Sequence, residues 1–140
     1  MAKTYKPPYV QSAKMDGVVS TSANTASDGS GSISTLCQVG SDDGTIKRIR
    51  AVPAQASRAA ASAKVAALFW SANGYTWNAL DEKAMATVTP STTNPNTVGQ
   101  AIFSFPDGLN LPASYYIGCI ITVYAGVQDR VQWTVERADN

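Results

Sequence analysis

The chain has 140 residues, a length that indicates one domain. Only 15% of its residues are charged, the net charge is +1 and histidine is absent, whereas an ordinary globular domain has about 25% charged residues. These values argue against binding to nucleic acid or membrane through bulk charge, and they remove the commonest general base and metal ligand. With 21 Ala, 14 Ser and 13 Thr, the surface is expected to be mostly neutral, which suits permanent contact with other proteins.

The first 32 residues contain three lysines and a long Ser/Thr/Asn/Gly stretch but few apolar residues. Such a segment buries too little surface to offset its chain entropy. We therefore predict an extended N-terminal arm at residues 1–32, held by the rest of the chain or by a neighbouring subunit, and a folded domain at residues 33–140. We expect that domain to remain folded when residues 1–20 are deleted.

The basic N-terminus is not followed by the apolar stretch of a signal peptide, and no run of 18 apolar residues occurs. We expect the protein to be made in a cytoplasm, not to be exported by the general route and not to cross a membrane.

Beyond the arm, short apolar runs alternate with turn signals such as Asn73-Gly74. The last run alternates cleanly and places Val131, Trp133 and Val135 on one face. This pattern predicts an all-β domain, a single antiparallel β-sandwich of jelly-roll type. The Ala-rich segment 53–64 fits either one short helix or a connection between strands. The predicted strands are residues 33–39, 46–52, 64–70, 84–89, 100–105, 116–124 and 131–137.

Catalytic and metal-binding motifs are not recognised in the sequence. The carboxylates fall mostly in turns or as adjacent pairs, which point to opposite faces of a strand. Cys37 and Cys119 lie in strand-like runs without ligand spacing, so we predict two buried free thiols. A disulfide between them is the minor alternative, which a reducing compartment disfavours. We expect neither an enzyme, nor a cofactor, nor a metal site.

A basic strand supplies the first group of candidate contact residues. Arg48 and Arg50 share one face, and Lys47 lies beside them. They form either a solvated outer face or a pair of guanidinium groups that bind carboxylates of a partner protein. Nucleic acid is a weaker alternative, because aromatic residues are not interleaved with these charges.

Aromatic residues around the Asn-Gly turn supply the second group. Trp70, Tyr75 and Trp77 lie within eight positions of one another. They are candidates for the core and the support of the turn, for a protein interface, or for stacking on the sugar rings of a glycan.

Motifs occur in order at residues 46–53, 64–74, 87–92, 109–115 and 131–135. Together they resemble those of a widespread group of small phage and prophage virion proteins. That group shares a V-x-R-[IV]-R-A strand, a V-A-R-V-F-I-N-N-G strand, a T-x-P-x-T loop and an L-x-L-P-A-G-Y hairpin. Ser114 stands where the hairpin has glycine, and residues 1–32 have no counterpart.

The resemblance implies a β-sandwich on the outside of a phage particle, made in the host bacterial cytoplasm. Its function would be capsid decoration (cement): binding the major capsid protein of the assembled head as a homo-oligomer, with a trimer expected and no nucleic acid or membrane partner. The alternatives are a tail- or fibre-associated protein that binds a host-surface glycan, and a head–tail joining component. The candidate capsid contacts are Tyr5, Pro7, Pro8 and Tyr9 of the arm, with Lys47, Arg48 and Arg50.

Overall fold

The computed structural model describes residues 12–54, 60–87, 89, 93 and 99–139, which contain β-strands and no α-helix. A 3-10 turn at Val127–Asp129 precedes the last strand. No helix in this part of the chain has the length and apolar character needed to cross a membrane. The strands are β1 (Ser12–Ser20), β2 (Ser34–Gln38), β3 (Gly44–Pro53), β4 (Lys64–Ser71), β5 (Asn78–Met85), β6 (Ala101–Leu111), β7 (Tyr116–Ile121) and β8 (Val131–Asp139).

The strands form two antiparallel sheets of four. The first sheet has the order β1-β8-β3-β6 and the second has the order β2-β7-β4-β5. The hydrogen-bonded pairs β1–β8, β2–β7, β3–β6 and β4–β5 are nested in the sequence. Eight strands in two sheets with this nested pairing are a jelly roll. The predicted all-β sandwich is confirmed.

The inward side chains of both sheets form the core. Val131, Trp133 and Val135 of β8 are fully buried, as their alternation predicted. The Trp133 ring stacks on Phe103 of β6, with the ring centroids 6.2 Å apart. Leu68 of β4 belongs to the same core cluster. The two faces are therefore joined by one apolar layer, which is the main stabilising feature of such a sandwich.

Strand β1 lies within the sequence that was assigned to the arm. All nine of its residues pair with β8, so residues 12–20 are part of the first sheet. The buried Trp133 Nε1 donates a hydrogen bond to Ser20 Oγ at 2.9 Å. The assignment of residues 1–32 to an arm is therefore corrected: residues 12–20 are a strand of the first sheet. Residues 1–11, with the candidates Tyr5, Pro7, Pro8 and Tyr9, lie outside the described residues.

The polar residues of β1 are stabilised by charges on β8. The largely buried Arg137 donates to Asp16 of β1 through Nε and to Asp139 through Nη1. Despite the desolvation that burial imposes, the bonds from Arg137 lower the pKa of Asp139. These contacts explain how a strand with few apolar residues joins the sheet. β8 forms hydrogen bonds with the main chain of β1, and its Arg137 neutralises the Asp16 carboxylate of β1.

Three other strands differ clearly from the sequence prediction, and one of them is β7, which ends at Ile121 instead of residue 124. The strand predicted at residues 84–89 is β5, Asn78–Met85, a mostly exposed edge strand whose polar composition gives little strand signal. Strand β6 does not end at residue 105 but continues to Leu111. Of the Ala-rich segment, residues 55–59 lie outside the described part, and residues 60–63 are not helical.

One buried ion pair anchors the connection before β8. Asp129 is fully buried and accepts hydrogen bonds from the backbone N–H groups of Ser62 and Ala125 at 2.7 and 2.8 Å. Lys64 Nζ lies 3.3 Å from its carboxylate, and the Lys64 side chain is only 2% exposed. Burial alone would raise the pKa of Asp129, but the backbone donors and Lys64 lower it below its usual value.

Deletion of residues 1–20 should therefore destabilise the domain, contrary to the expectation from sequence. It removes β1, the Ser20 acceptor of Trp133 and the Asp16 partner of Arg137. We expect a markedly lower midpoint of thermal unfolding, measured by circular dichroism. Deletion of residues 1–11 alone leaves β1 intact and should preserve a cooperative transition. An unchanged midpoint after the longer deletion would show that β1 is dispensable.

Asp129→Asn should lower the free energy of unfolding by about 3–5 kcal/mol near neutral pH, because Lys64 is left buried without its counter-charge. Since the folded pKa of Asp129 lies below 3.8, its contribution is present above that pH and is lost as the pH falls through the folded value. Urea unfolding over a pH series should show that the free energy of unfolding falls less in the variant than in the native chain as the pH is lowered. The exposed Asp107→Asn should change stability by less than about 0.5 kcal/mol.

Candidate functional site

The candidate site is the solvent-facing side of the first sheet, which we call the outer face. Directly opposed residues of antiparallel strands share a face. Arg48 lies opposite Glu136, and Arg50 lies opposite Thr134, while Ile49 between them is fully buried. The outer face comprises Met15, Gly17, Val19, Arg48, Arg50, Val52, Ile102, Ser104, Gln132, Thr134 and Glu136.

The charges of the outer face are largely paired within the sheet. Arg48 donates to Glu136 through Nε at 3.0 Å and through Nη2 at 2.8 Å, a bidentate arrangement. The hydrogen bonds from Arg48 lower the pKa of Glu136, and the Coulomb field of Arg50 adds to this effect. One of the two sequence interpretations was that Arg48 and Arg50 both bind carboxylates of a partner protein. In the structure, Arg48 binds a carboxylate of its own chain, which leaves Arg50 as the arginine for such a contact.

Apolar side chains are exposed next to this ion pair. Met15 is 66% exposed and Val19 is 41% exposed, both on β1. Val52 and Ile102 are half-buried on β3 and β6. The outer face therefore combines aliphatic, hydroxyl and amide groups with the paired Arg48 and Glu136 and with the charge of Arg50. Its aliphatic and paired groups cost less to desolvate against a partner than isolated charges do.

A β-bulge places Lys47 at the border of the outer face. Ile46 lies opposite Leu109 and Arg48 opposite Ser104, so four residues of β6, 105–108, face the single Lys47. Gly108 has a φ of 77°, which is the left-handed conformation that glycine adopts without strain. Pro106, Asp107 and Gly108, a combination typical of turns, thus form a bulge inside β6, and the exposed Lys47 lies in the corresponding bulge of β3.

The three candidate aromatic residues do not form a common platform. Trp70 packs against the core and stacks on Tyr115 with the ring centroids 5.9 Å apart and the planes 3° from parallel. Tyr75 is 88% exposed in the turn between β4 and β5. Ser71 and Asn73 hold that turn through side-chain bonds to its backbone N–H groups. A sugar ring therefore cannot stack on all three residues at once.

Trp77 lies on the solvent side of the second sheet. It packs with Ile33 against Phe69 and Ile120. Gly118 leaves room for it, because a Cβ there would lie 2.6 Å from Ile33 Cγ2 and 2.7 Å from Trp77 Cζ3. The connection between β1 and β2 covers this region, and Asn24 N–H donates to Ile121 O at 2.9 Å. Trp77 thus fastens this connection to the second sheet, which is a structural role.

A feature that the sequence did not reveal is an apolar cleft of about 240 Å³ between the β5 and β6 edges of the two sheets. No local sequence pattern indicates this cleft, because its residues come from three separate segments that only the sandwich brings together. The cleft is lined by Trp70, Leu80, Leu109, Leu111, Pro112 and Tyr115.

The groups that could react chemically are few. Cys37 and Cys119 are buried and free, as predicted. Burial raises the pKa of each thiol to about 12, so neither is a nucleophile near neutral pH. Within the described ranges, no group of three or more Cys, Asp or Glu residues could hold a metal ion.

Comparisons with protein-family models, with curated proteins and with solved structures find no match for this chain.

Trp77→Ala should lower the free energy of unfolding by about 1–2 kcal/mol, since it removes a half-buried aromatic contact. Tyr75→Ala should change the free energy of unfolding by less than about 0.5 kcal/mol, because the Tyr75 ring is exposed. Urea unfolding of the two variants measures the difference. Equal stability of both would contradict the structural role assigned to Trp77.

Proposed function

We propose that the chain is a non-enzymatic phage virion protein that binds the assembled capsid and stabilises it. The observation that carries this proposal is the outer face, which presents exposed aliphatic residues beside the paired Arg48 and Glu136. Two further points support it. The sequence motifs resemble those of small virion proteins, and jelly rolls recur in viral capsid domains, although fold alone does not define function.

Capsid decoration needs a stable contact and no chemistry. A protein that binds the assembled shell and not its dissociated subunits stabilises the shell by the free energy of binding. Many copies on one particle multiply this effect. The outer face fits such a contact, because Arg50 and Lys47 supply charges at its centre and border while Met15 and Val19 supply apolar area.

The proposed partner is the major capsid protein, with the decoration protein acting as a homo-oligomer on the virion surface. Tyr5, Pro7, Pro8 and Tyr9, which lie outside the described residues, are proposed as further capsid contacts from the sequence alone. A trimer is proposed from the resemblance to virion proteins alone.

The second candidate function is that of a tail- or fibre-associated protein that binds a host-surface glycan. Jelly rolls also recur in lectin domains, so the fold is compatible with this function. The specific observation for it is the exposed Tyr75. A glycan array distinguishes the two functions: binding that Tyr75→Ala abolishes and that outer-face changes leave intact favours the glycan function. A head–tail joining component is distinguished by its copy number, since a joint holds a single ring of copies.

The double variant Met15→Lys/Val19→Lys should reduce the number of copies bound per capsid by about tenfold or more, because it places two charges in the contact. The matched control is Ala84→Lys/Ala86→Lys, which adds the same charges at exposed positions at and just beyond the end of β5. Cryo-EM of purified particles gives the copy number and position, and circular dichroism checks the fold.

Many copies on the head surface that are lost only in the Met15/Val19 variant would support the proposal. A single ring of copies, the absence of the chain from particles, or equal loss in both variants would overturn it.

A further inference from the structure

The edge of the first sheet at β1 is open. β1 pairs with β8 along one edge, and no strand among the described residues pairs with its other edge. The pairing with β8 runs from Ser12 to Ser20 without a register shift, and residues 12–15 are exposed. A regular edge strand directs the N–H and C=O groups of every second residue away from the sheet, so this edge is a template for a further strand.

Four side chains form a row of alternating charges that ends at this edge. In its middle, the buried Arg137 donates a hydrogen bond to the buried Asp139. At one end, Lys14 Nζ lies 3.4 Å from Asp139. At the other end, Arg137 donates to Asp16. The side chains of Lys14 and Asp16 are 49% and 34% exposed. The row therefore presents one cation and one anion to the outside, two residues apart on the same face of β1.

This arrangement makes β1 complementary to a second copy of itself. When two identical antiparallel strands are related by a two-fold axis, the axis lies between one residue and its own counterpart. If that residue is Met15, Lys14 lies directly opposite Asp16 of the second copy, and Asp16 lies opposite its Lys14. Opposite charges in directly opposed positions stabilise a strand pair. Residues 12–18 of the two copies are then paired with each other.

The neighbouring registers are less favourable for the same two strands. An axis at Lys14 or at Asp16 would place two like charges directly opposite each other, which destabilises a strand pair. An axis at Gly17 would place Lys14 opposite Ser20, which is buried and already accepts the indole hydrogen bond of Trp133. The charges of β1 therefore select the register centred on Met15.

We propose that β1 pairs with β1 of a second copy around a two-fold axis at Met15, which joins the two first sheets edge to edge. The Met15 side chains, each 66% exposed in the single chain, then meet on the outer face. The contact uses only the edge of the sheet, so the two outer faces form one continuous surface that stays open to a capsid.

This inference goes beyond the proposed function, because it concerns the free chain and needs no capsid. It gives a dimer, whereas the resemblance to virion proteins implies a trimer, and the mass of the particle in solution distinguishes the two. A single strand pair is a small contact, so we expect the dimer to dissociate in the micromolar to millimolar range.

The test uses the full chain with Met15→Cys, which places the new thiols of two copies next to the axis. Directly opposed residues have Cα atoms about 4.5–5.5 Å apart, a separation that a disulfide spans. The matched control is Val19→Cys, an exposed position on the same strand and face. In the proposed register, its counterpart lies about 27 Å away along the strands. Cys37 and Cys119 stay reduced, because they are buried and their pKa values are raised to about 12.

Under mild oxidation, Met15→Cys should form a disulfide-linked dimer at least about tenfold faster than Val19→Cys, because the strand pair raises the effective concentration of its thiols. Non-reducing electrophoresis measures both rates. Sedimentation equilibrium of the native chain should show a monomer and a dimer. Lys14→Gln should weaken the dimer by about three- to tenfold, since it removes both ion pairs across the axis. The control Lys47→Gln changes an exposed lysine away from this edge and should leave the dimer unchanged.

One further variant separates this inference from the proposed function. Val19 lies outside the paired residues 12–18, so Val19→Lys alone should keep the dimer while it weakens capsid binding. A chain that stays monomeric up to about 1 mM, a trimeric mass, or equal cross-linking rates of the two cysteine variants would overturn the two-fold contact. Each of these results would leave the capsid contact of the outer face to its own test.

Discussion

The first sheet depends on β8, because this strand is hydrogen-bonded along both of its edges. β1 and β3 flank it, and Trp133 in its middle is fully buried, stacked on Phe103 and bonded to Ser20. β8 is also the last strand of the chain. Since β8 follows the other three strands of the first sheet in the sequence, this sheet cannot close before β8 is present, and such non-local pairing is intrinsically slow to form. The buried Asp129 immediately before β8 fixes the point at which the strand enters the sheet.

The sequence predicted the elements whose side chains alternate or are apolar throughout, such as β8 and β4. It did not predict β1, because the polar residues Asp16 and Ser20 are accommodated in the sheet only through side-chain hydrogen bonds from Arg137 and Trp133 of β8. The outer face was predicted only in part, since Arg48 and Arg50 share a strand but Glu136 reaches them from 86 or more positions away. No local pattern encodes such a pairing, and the same is true of the cleft.

The aromatic residues illustrate how a turn redistributes neighbouring side chains. Trp70 and Trp77 are close in sequence, but alternation along β4 and the turn at Asn73 send them to opposite sides of the second sheet. Each is thereby used for packing, Trp70 at the cleft and Trp77 on the connection over Gly118. The contact surface that we propose is the outer face, where the charges of Arg48 and Glu136 are paired with each other.

The ends of the two sheets determine how copies of this chain can associate through their main chains. Three edges resist strand addition: β6 carries Pro106 in a bulge, β2 has five residues and a register shift, and β5 carries Asp81, Glu82 and Lys83. Only β1, among the described edges, is long and regular. Two copies joined through β1 would have used their open edges, so pairing of this kind stops at a dimer and cannot grow into a fibre, even at high local concentration.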